Sequence, residues 1–430
     1  MMQCGLLGRH LSHSYSPQIH GMLGDYSYGL FEKEPEELKH FLKTGNWDGL
    51  NVTVPYKKDV IPYLDELSPI AQKLNAVNTV IRRNGRLIGH NTDYFGFLTM
   101  VKASGLDVSG KKVLVFGSGG ASNTAVAVLE ELGAKVVVVS RSGVNHYGNL
   151  HLHKDASVLV NTTPVGMFPH TGNTLVGLDT LPNLEGVLDL IYNPARTQLL
   201  LDAQKRGLVT MNGLLMLVAQ AKEAAEWFTG SRISDDVIAP IYTALRRQME
   251  NIILIGMPGC GKSTVGKLLA EKLGKEFIDA DDVTAKLAGM PIPEIFSKFG
   301  EDTFRRYETE ALRSLGMQSG KVIATGGGCV TKAENNPLLR QNGTIFWLHR
   351  DLNRLPTEGR PLSQATNAVE MYRIRKPLYE AFSDHQISND VDLEDTLQLI
   401  TAIWEATYEN SRSERTEYQY AGHPGTGYLR

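Results

Sequence analysis

The sequence predicts an α/β protein built on parallel sheets. Three observations carry that reading. Lys112-Val-Leu-Val-Phe-Gly117 is an apolar run that ends in glycines, leads into a small-residue helix over 121–132, and is answered by a second apolar run over 134–140. A second strand–glycine–helix unit begins at Asn251-Ile-Ile-Leu-Ile-Gly256. The runs do not alternate polar with apolar, as expected of strands covered on both faces and joined by helical crossovers.

The remaining elements follow in order. A helix is expected over 34–43, beginning near a proline, and a strand over Asn51-Val-Thr-Val-Pro55, stopped by its proline. Further strands fit 157–161 and 186–190, and helices fit 197–206 and 214–227. A helix over 235–250 runs into the second unit with no Gly/Ser/Pro linker, so the halves are expected to be joined tightly. Beyond about residue 404 apolar periodicity fades, and 409–430 reads as a disordered tail. There is no internal repeat.

Bulk properties exclude several classes. The 430 residues suggest two or three domains. A formal net charge of −3 argues against a nucleic-acid partner. No apolar run approaches the roughly 18 residues of a membrane span, and the first residues lack a signal-peptide pattern. Cys4, Cys260 and Cys329 are too scattered for a zinc or disulfide framework, so a reducing cytoplasm is expected. Oligomeric state is not legible.

Gly256-Met-Pro-Gly-Cys-Gly-Lys-Ser-Thr264 matches a phosphate-binding loop between a strand and a helix. Its backbone from Gly259 through Cys260 and Gly261 would ring phosphate oxygens of ATP. Lys262 would neutralise their charge, the Ser263 hydroxyl would ligate Mg²⁺, and Thr264 would bind the nucleotide with the rest of the loop. Downstream stand Phe277-Ile-Asp-Ala-Asp281, Gly300-Glu-Asp-Thr-Phe-Arg-Arg-Tyr-Glu308, Gly326-Gly-Gly328, Gly359-Arg-Pro-Leu362 and Arg375-Lys-Pro-Leu-Tyr379. This ordered set resembles shikimate kinase from Asn251 to about Trp404.

The resemblance implies roles. Arg305 and Arg375 would clamp a carboxylate through forked bonds. Asp281 would orient, or deprotonate, the attacking hydroxyl. Asp279 would sit near Mg²⁺ through water. Gly327 and its neighbours would let the substrate approach the backbone. Arg360 would close on the transferring phosphoryl group from a lid, and Arg354 would contact adenine or phosphate. The stretch from Arg360 to Arg375 is short for the family.

Gly117-Ser-Gly-Gly-Ala-Ser122 follows a strand and opens a helix, as a dinucleotide turn does, with Gly117, Gly119, Gly120 and Ala121 beside the pyrophosphate. The next strand ends in Ser140 and Arg141 where an acid would grip a 2′-hydroxyl. That pair suits a 2′-phosphate and favours NADP(H). Around this turn lie Ser12-His-Ser-Tyr-Ser-Pro17, Asn51-Val-Thr-Val-Pro-Tyr-Lys57, Asn75-Ala-Val-Asn-Thr79, Asn91-Thr-Asp93, Asn161-Thr-Thr-Pro-Val-Gly-Met167, Asp189-Leu-Ile-Tyr-Asn-Pro194 and 213–220. Together they resemble shikimate dehydrogenase from about Leu7 to Arg247.

That resemblance implies reduction of 3-dehydroshikimate, with Lys57 and Asp93 as the pair that supplies a proton to the new alkoxide. Which of the two delivers it stays open. Ser14, Ser16, Thr53, Asn78 and Gln220 would bind the carboxylate and hydroxyls, Tyr192 would line the site, and Gly213 would approach the cofactor. The chain between Arg141 and the next strand is short for the family, which puts the adenine side in question. His151 and His153 alternate as if on one strand face, without the acid or thiol that would complete a metal site.

The expected organisation is a substrate lobe (1–93, with 212–248 returning to it), a Rossmann-type NADP lobe (94–211) and a P-loop kinase domain (249–408). The expected activity is two consecutive steps on one small acid. Two alternatives stay open: one half serves only as a binding module, or the kinase half takes another polyol acid or a nucleotide. Cys260 and Cys329 lie beside the phosphate and substrate loops; they are expected to be small buried thiols, with sensitivity of the kinase to oxidation as the alternative.

Overall fold

The computed structural model describes residues 1–11, 14–354 and 368–416, with 409–416 as backbone only. Three sheets succeed one another along the chain. The first contains β1 (Gln3–Gly8), β2 (Ser27–Glu32), β3 (Gly49–Val52), β4 (Glu66–Leu67), β5 (Thr79–Arg83) and β6 (Arg86–His90). Its order is β2-β1-β3-β5-β6-β4, parallel except where β5 runs against β3 and β6. Trp47, Tyr56 and Leu50 are buried against one face of it.

The second sheet contains β7 (Lys112–Phe116), β8 (Lys135–Val139), β9 (Val158–Asn161), β10 (Gly186–Asp189) and β11 (Val209–Asn212). All its strands are parallel, in the order β11-β10-β9-β7-β8. The order reverses between β7 and β9, and a crevice at the carboxyl ends of strands flanking such a reversal is where open α/β sheets take ligands. Gly117 closes β7 there with φ +115°, and a Cβ on it would lie 2.5 Å from Thr162 Oγ1, so only glycine fits.

The third sheet contains β12 (Asn251–Ile255), β13 (Glu276–Asp279), β14 (Lys321–Ala324), β15 (Gly343–His349) and β16 (His385–Ser388). It too is fully parallel, in the order β13-β14-β12-β15-β16. The central β12 is buried along its whole length. Its neighbours splay the following loops to opposite sides, β14 on one flank and β15 on the other.

The helix Leu214–Thr229 returns from the second sheet to the first. It packs against the helix Asp93–Ala103 at Gly96, where a Cβ would lie 2.6 Å from Met216 O. The next helix, Ile238–Met249, ends one residue before β12. Lys275, from the other side of that boundary, donates to the carbonyls of Arg247, Gln248 and Glu250 at 2.8, 3.2 and 2.9 Å. A cation on the last carbonyls is a favourable helix ending. Nearby, Arg196 donates to Gly343 O at 2.9 Å and to Glu250 Oε1 at 3.4 Å, and Ala195 N donates to Asn342 Oδ1 at 2.8 Å.

Three sequence expectations are corrected. The strand beginning at Asn51 starts instead at Gly49 and ends at Val52: Thr53 N makes the last ladder bond, to Leu7 O, and Tyr56 N then closes a turn on Thr53 O that takes the chain out of the sheet. His151 and His153 lie in 3₁₀ turns over Tyr147–His153, with His153 Nε2 3.1 Å from Asn145 Oδ1. The last helix runs from Leu393 to Thr416, past the point where a tail was expected. Ile400, Trp404 and Tyr408 recur every fourth residue and bury one face of it. Residues 417–430 lie outside the described residues. No helix among those described is long and apolar enough to cross a membrane.

Candidate functional site

Two cavities gather the residues singled out from the sequence. The first, about 290 Å³, opens between the first sheet and the helix Leu214–Thr229. Lys57 and Asp93 face each other in its wall, with Nζ 2.5 Å from Oδ2 and 26% and 13% of the side chains exposed. Asp93 is the first residue of the helix Asp93–Ala103, a position that favours a carboxylate through the helix dipole. The pair is therefore held from a rigid element while still reaching solvent.

Ser14, Ser16, Thr53, Asn78, Tyr192 and Gln220 line the same cavity. Their orientation is fixed from behind. Asn78 Oδ1 accepts from Thr92 N at 2.7 Å, and its Nδ2 donates to Thr92 Oγ1 at 3.0 Å. Ser16 N donates to Ser14 Oγ at 3.2 Å. Tyr192 meets Tyr15 edge-on with ring centroids 6.2 Å apart, and burial raises its phenol pKa. Gly213 stands in the wall beneath Tyr192, where a Cβ would lie 2.0 Å from Leu190 O.

The turn of the second sheet lies nearby. Gly119 precedes and Gly120 and Ala121 begin the helix Gly120–Glu131. A Cβ on Gly119 or Gly120 would meet nothing within 4 Å, so the backbone of this turn faces open space. Exposed backbone N–H groups at a helix start fit a pyrophosphate. Ser140 follows β8 and Arg141 is exposed beside it, free to meet a further phosphate.

The tyrosine loop rests on a buried carboxylate that the sequence reading passed over. Asp189, at the end of β10, accepts from Asn161 Nδ2 at 3.0 Å, from Ile191 N at 3.1 Å and from Thr197 Oγ1 at 2.7 Å. Burial raises its pKa to about 6 despite those donors.

The second cavity, about 620 Å³, lies at the carboxyl edge of the third sheet. Gly259, Gly261, Lys262, Ser263 and Thr264 line it. Gly259 and Gly261 have φ of +87° and +102°, conformations that let the loop curl and turn its N–H groups inward. Lys262 Nζ donates to the carbonyls of Gly256 and Met257 at 2.9 and 3.0 Å. Ser263 Oγ donates to Asp279 Oδ2 at 2.7 Å. A hydroxyl and a carboxylate so paired are hard oxygen donors of the kind Mg²⁺ takes. Cys260 contributes only its backbone, because its side chain is fully buried in the core behind the loop.

Across from this loop stand Asp281, Arg305, Arg375 and Gly327. Arg375 donates to Gly327 O at 3.2 Å, and Tyr379 also donates to that carbonyl. Burial, then the nearby Asp279, raises the pKa of Asp281. Arg305 is held by Glu301 at 2.9 Å and by Glu308 at 2.6 Å. Glu308 was quoted in the sequence motif without a role. It lines the cavity, is 1% exposed, and has Oε1 unpartnered. Its three-residue spacing from Arg305 on a helix was the available signal. Arg354 lies outside the cavity lining and donates to Asp390 O at 3.0 Å. Cys329 is fully buried and its thiol pKa is pushed up to about 12, which opposes ready oxidation. Arg360 lies outside the described residues.

Both halves of the chain have known relatives. Residues 6–80 match the family model of the shikimate dehydrogenase substrate binding domain, and residues 258–405 match that of shikimate kinase. The NADP(+) shikimate dehydrogenase of Clostridium perfringens strain SM101 is 35% identical over 264 residues, spanning 56% of this chain and 97% of that protein. The corresponding protein of Caldanaerobacter subterraneus is 36% identical over 273 residues, spanning 57% of this chain and 96% of its own. The crystal structure of shikimate dehydrogenase 1 from Peptoclostridium difficile is 37% identical with a TM-score of 0.54, over 57% of this chain and 98% of that one. A chorismate mutase/shikimate 5-dehydrogenase fusion protein from Clostridium acetobutylicum is 34% identical with a TM-score of 0.55, over 57% of this chain and 97% of that one. The chain therefore belongs to the shikimate dehydrogenase family and carries a shikimate kinase domain behind the dehydrogenase.

Proposed function

We propose that the first half reduces 3-dehydroshikimate to shikimate with NADPH and that the second half phosphorylates the 3-hydroxyl of shikimate with MgATP. The observation that carries the reading is the pair of cavities in one chain, each furnished for the same small hydroxylated carboxylate. The product of one is the substrate of the other.

In the dehydrogenase cavity NADPH supplies the hydride. Ser14, Ser16, Asn78 and Gln220 hold the carboxylate and hydroxyls, and Thr53 and Tyr192 close around the ring. As the carbonyl carbon gains the hydride, its C–O π pair moves to oxygen, which takes a proton from the Lys57–Asp93 pair. Asp93 keeps the Lys57 ammonium aimed at that oxygen. Gly117, Gly119, Gly120 and Ala121 would hold the pyrophosphate, Ser140 and Arg141 the 2′-phosphate, and Gly213 would give the cofactor room to approach.

In the kinase cavity Arg305 and Arg375 grip the carboxylate, and Glu308 stiffens Arg305. Asp281 accepts from the attacking hydroxyl. The loop from Gly259 to Thr264 cradles the phosphates with Lys262. Ser263 and Asp279 would hold Mg²⁺, which would neutralise charge on the phosphates. Arg360 is assigned to the transferring phosphoryl group on the sequence resemblance alone. We place the working divisions at 1–93 with 212–248, 94–211, and 249–408. The three free, buried thiols suit a reducing compartment such as the cytoplasm.

A coupled assay tests the whole reading. With 3-dehydroshikimate, NADPH and MgATP, shikimate 3-phosphate should accumulate. Omitting ATP should stop the sequence at shikimate, and omitting NADPH should stop it at the start. No NADPH consumption, or preference for another phosphoryl acceptor over shikimate, would overturn the corresponding half.

A further inference from the structure

We propose that Arg350 is a phosphate-binding residue of the kinase cavity, reserved for the β- and γ-phosphates of ATP. It stands directly after β15, and β15 pairs with β12, the strand that leads into the phosphate loop. The two are in close contact there: a Cβ on Gly256, at the start of the loop, would lie 2.2 Å from Leu348 O. Arg350 is two residues beyond that point and lines the same cavity as Gly259 and Lys262.

Its guanidinium has no partner among the described residues. Nε is buried without a hydrogen bond, and no ion pair or hydrogen bond joins the rest of the group to any described residue. The other arginines of the cavity differ. Arg305 is held by Glu301 and Glu308, and Arg375 by Gly327 O. A buried N–H left unpaired is unfavourable, so an arginine kept in this condition fits a cavity whose ligand brings the acceptors.

Sheet order decides which ligand group that is. Asp281, in the first turn of the helix Ala280–Ala288 after β13, and the loop Gly326–Gly328 after β14 both lie on one flank of β12. Arg305 lies against that flank, since a Cβ on Gly328 would be 2.1 Å from its Nη2. Arg350 follows β15, on the opposite flank. The carboxylate of the acceptor is thus served from the β14 side, and Arg350 faces the nucleotide side of the loop. A planar fork of N–H donors suits phosphate oxygens.

The proposal rests on the kinase reading for the identity of the nucleotide, so binding is measured apart from turnover. Calorimetric titration of the full chain with ATP, ADP and AMP, each with Mg²⁺, would compare the natural protein with Arg350→Gln and Arg350→Lys. Arg350→Gln should raise Kd for ATP and ADP by about 10- to 100-fold, the weight of a charge-assisted hydrogen bond. AMP binding and shikimate binding should change by less than about twofold, and Arg350→Lys should recover part of the loss. Unchanged dehydrogenase activity in the same sample would show that the chain is folded. Equal losses for AMP and ATP would assign Arg350 to the nucleoside and overturn the proposal. Unaltered ATP and ADP binding would overturn it as well, while leaving the kinase reading intact. A natural protein that binds neither nucleotide would overturn both.

Discussion

Replacing Lys57 by methionine removes one ammonium and keeps most of its stem. Two magnitudes follow from its surroundings. The Lys57–Asp93 pair is 2.5 Å apart but still 26% and 13% exposed, so the ion pair itself contributes at most about 1 kcal/mol to stability. Asp93 also keeps its favourable place at a helix start, and the melting temperature should barely move. The chemical step is different. General acid catalysis by a positioned side chain contributes about 10²- to 10⁴-fold, or about 2.7–5.4 kcal/mol of barrier. The expected result is a fall in kcat of about 10³, with KM for 3-dehydroshikimate within about fivefold, since the serine, asparagine and glutamine contacts remain. The assay is loss of NADPH absorbance at saturating substrate, with the kinase rate of the same sample as a control for folding. A kcat within about tenfold of the natural value would refute a proton supplied through Lys57.

Other outcomes can be checked alongside. Arg141→Ala should raise KM for NADPH by roughly 10-fold or more and leave NADH turnover unchanged, as loss of one charge-assisted phosphate contact implies; equal effects on both cofactors would place Arg141 elsewhere. Ser263→Ala should shift the Mg²⁺ dependence of the kinase to higher concentration while shikimate affinity holds, read from initial rates over a metal titration. Burial, then Asp279, raises the pKa of Asp281, and the role assigned to it needs the carboxylate. Kinase kcat/KM should therefore fall on acidification at a pH above the ordinary carboxylate value of about 4, and an acid limb at that ordinary value would argue against Asp281. Asp189 has its pKa raised by burial from 3.8 to about 6, so the stability it contributes is present below the lower value and lost as pH rises through the upper. The gap corresponds to a few kcal/mol at most, about 1.4 per pH unit. The melting temperature of the natural protein relative to Asp189→Asn should thus decline between about pH 4 and pH 6.5, and a flat difference would exclude the linkage.

Much of this was legible because the signal was local. Lys112–Phe116 and Asn251–Ile255 are apolar on both faces, and glycines close each run, so strand, turn and helix announce themselves together. The Lys57–Asp93 pair was readable only through the order of short motifs, since 36 residues separate the two. What escaped the sequence depended on distant partners. Asp189 takes its meaning from Asn161 and Thr197, and nothing beside it in the chain marks it as buried. Arg350 looks like any polar residue after a strand until the cavity beside it is seen. The last helix outran the expected tail because Tyr408 is anchored by Arg246 and Arg247, whose guanidinium carbons lie 5.0 and 5.4 Å from its ring centroid, a contact across more than 150 residues.

The boundary between the halves has a consequence for anyone who would divide them. The final helix of the dehydrogenase ends on three carbonyls satisfied by Lys275, a residue of the kinase. Arg196, four residues beyond Tyr192, likewise finds its backbone acceptor in the strand Gly343–His349. A cut after Glu250 would fray that helix end and take from Arg196 the carbonyls of Gly343 and Gln341, which accept from its guanidinium and its backbone N–H. Excised halves would each carry a raw face where the other had been, and a protease acting on the whole chain would find no exposed tether there. The line between the two chemistries is therefore not a line along which the molecule comes apart.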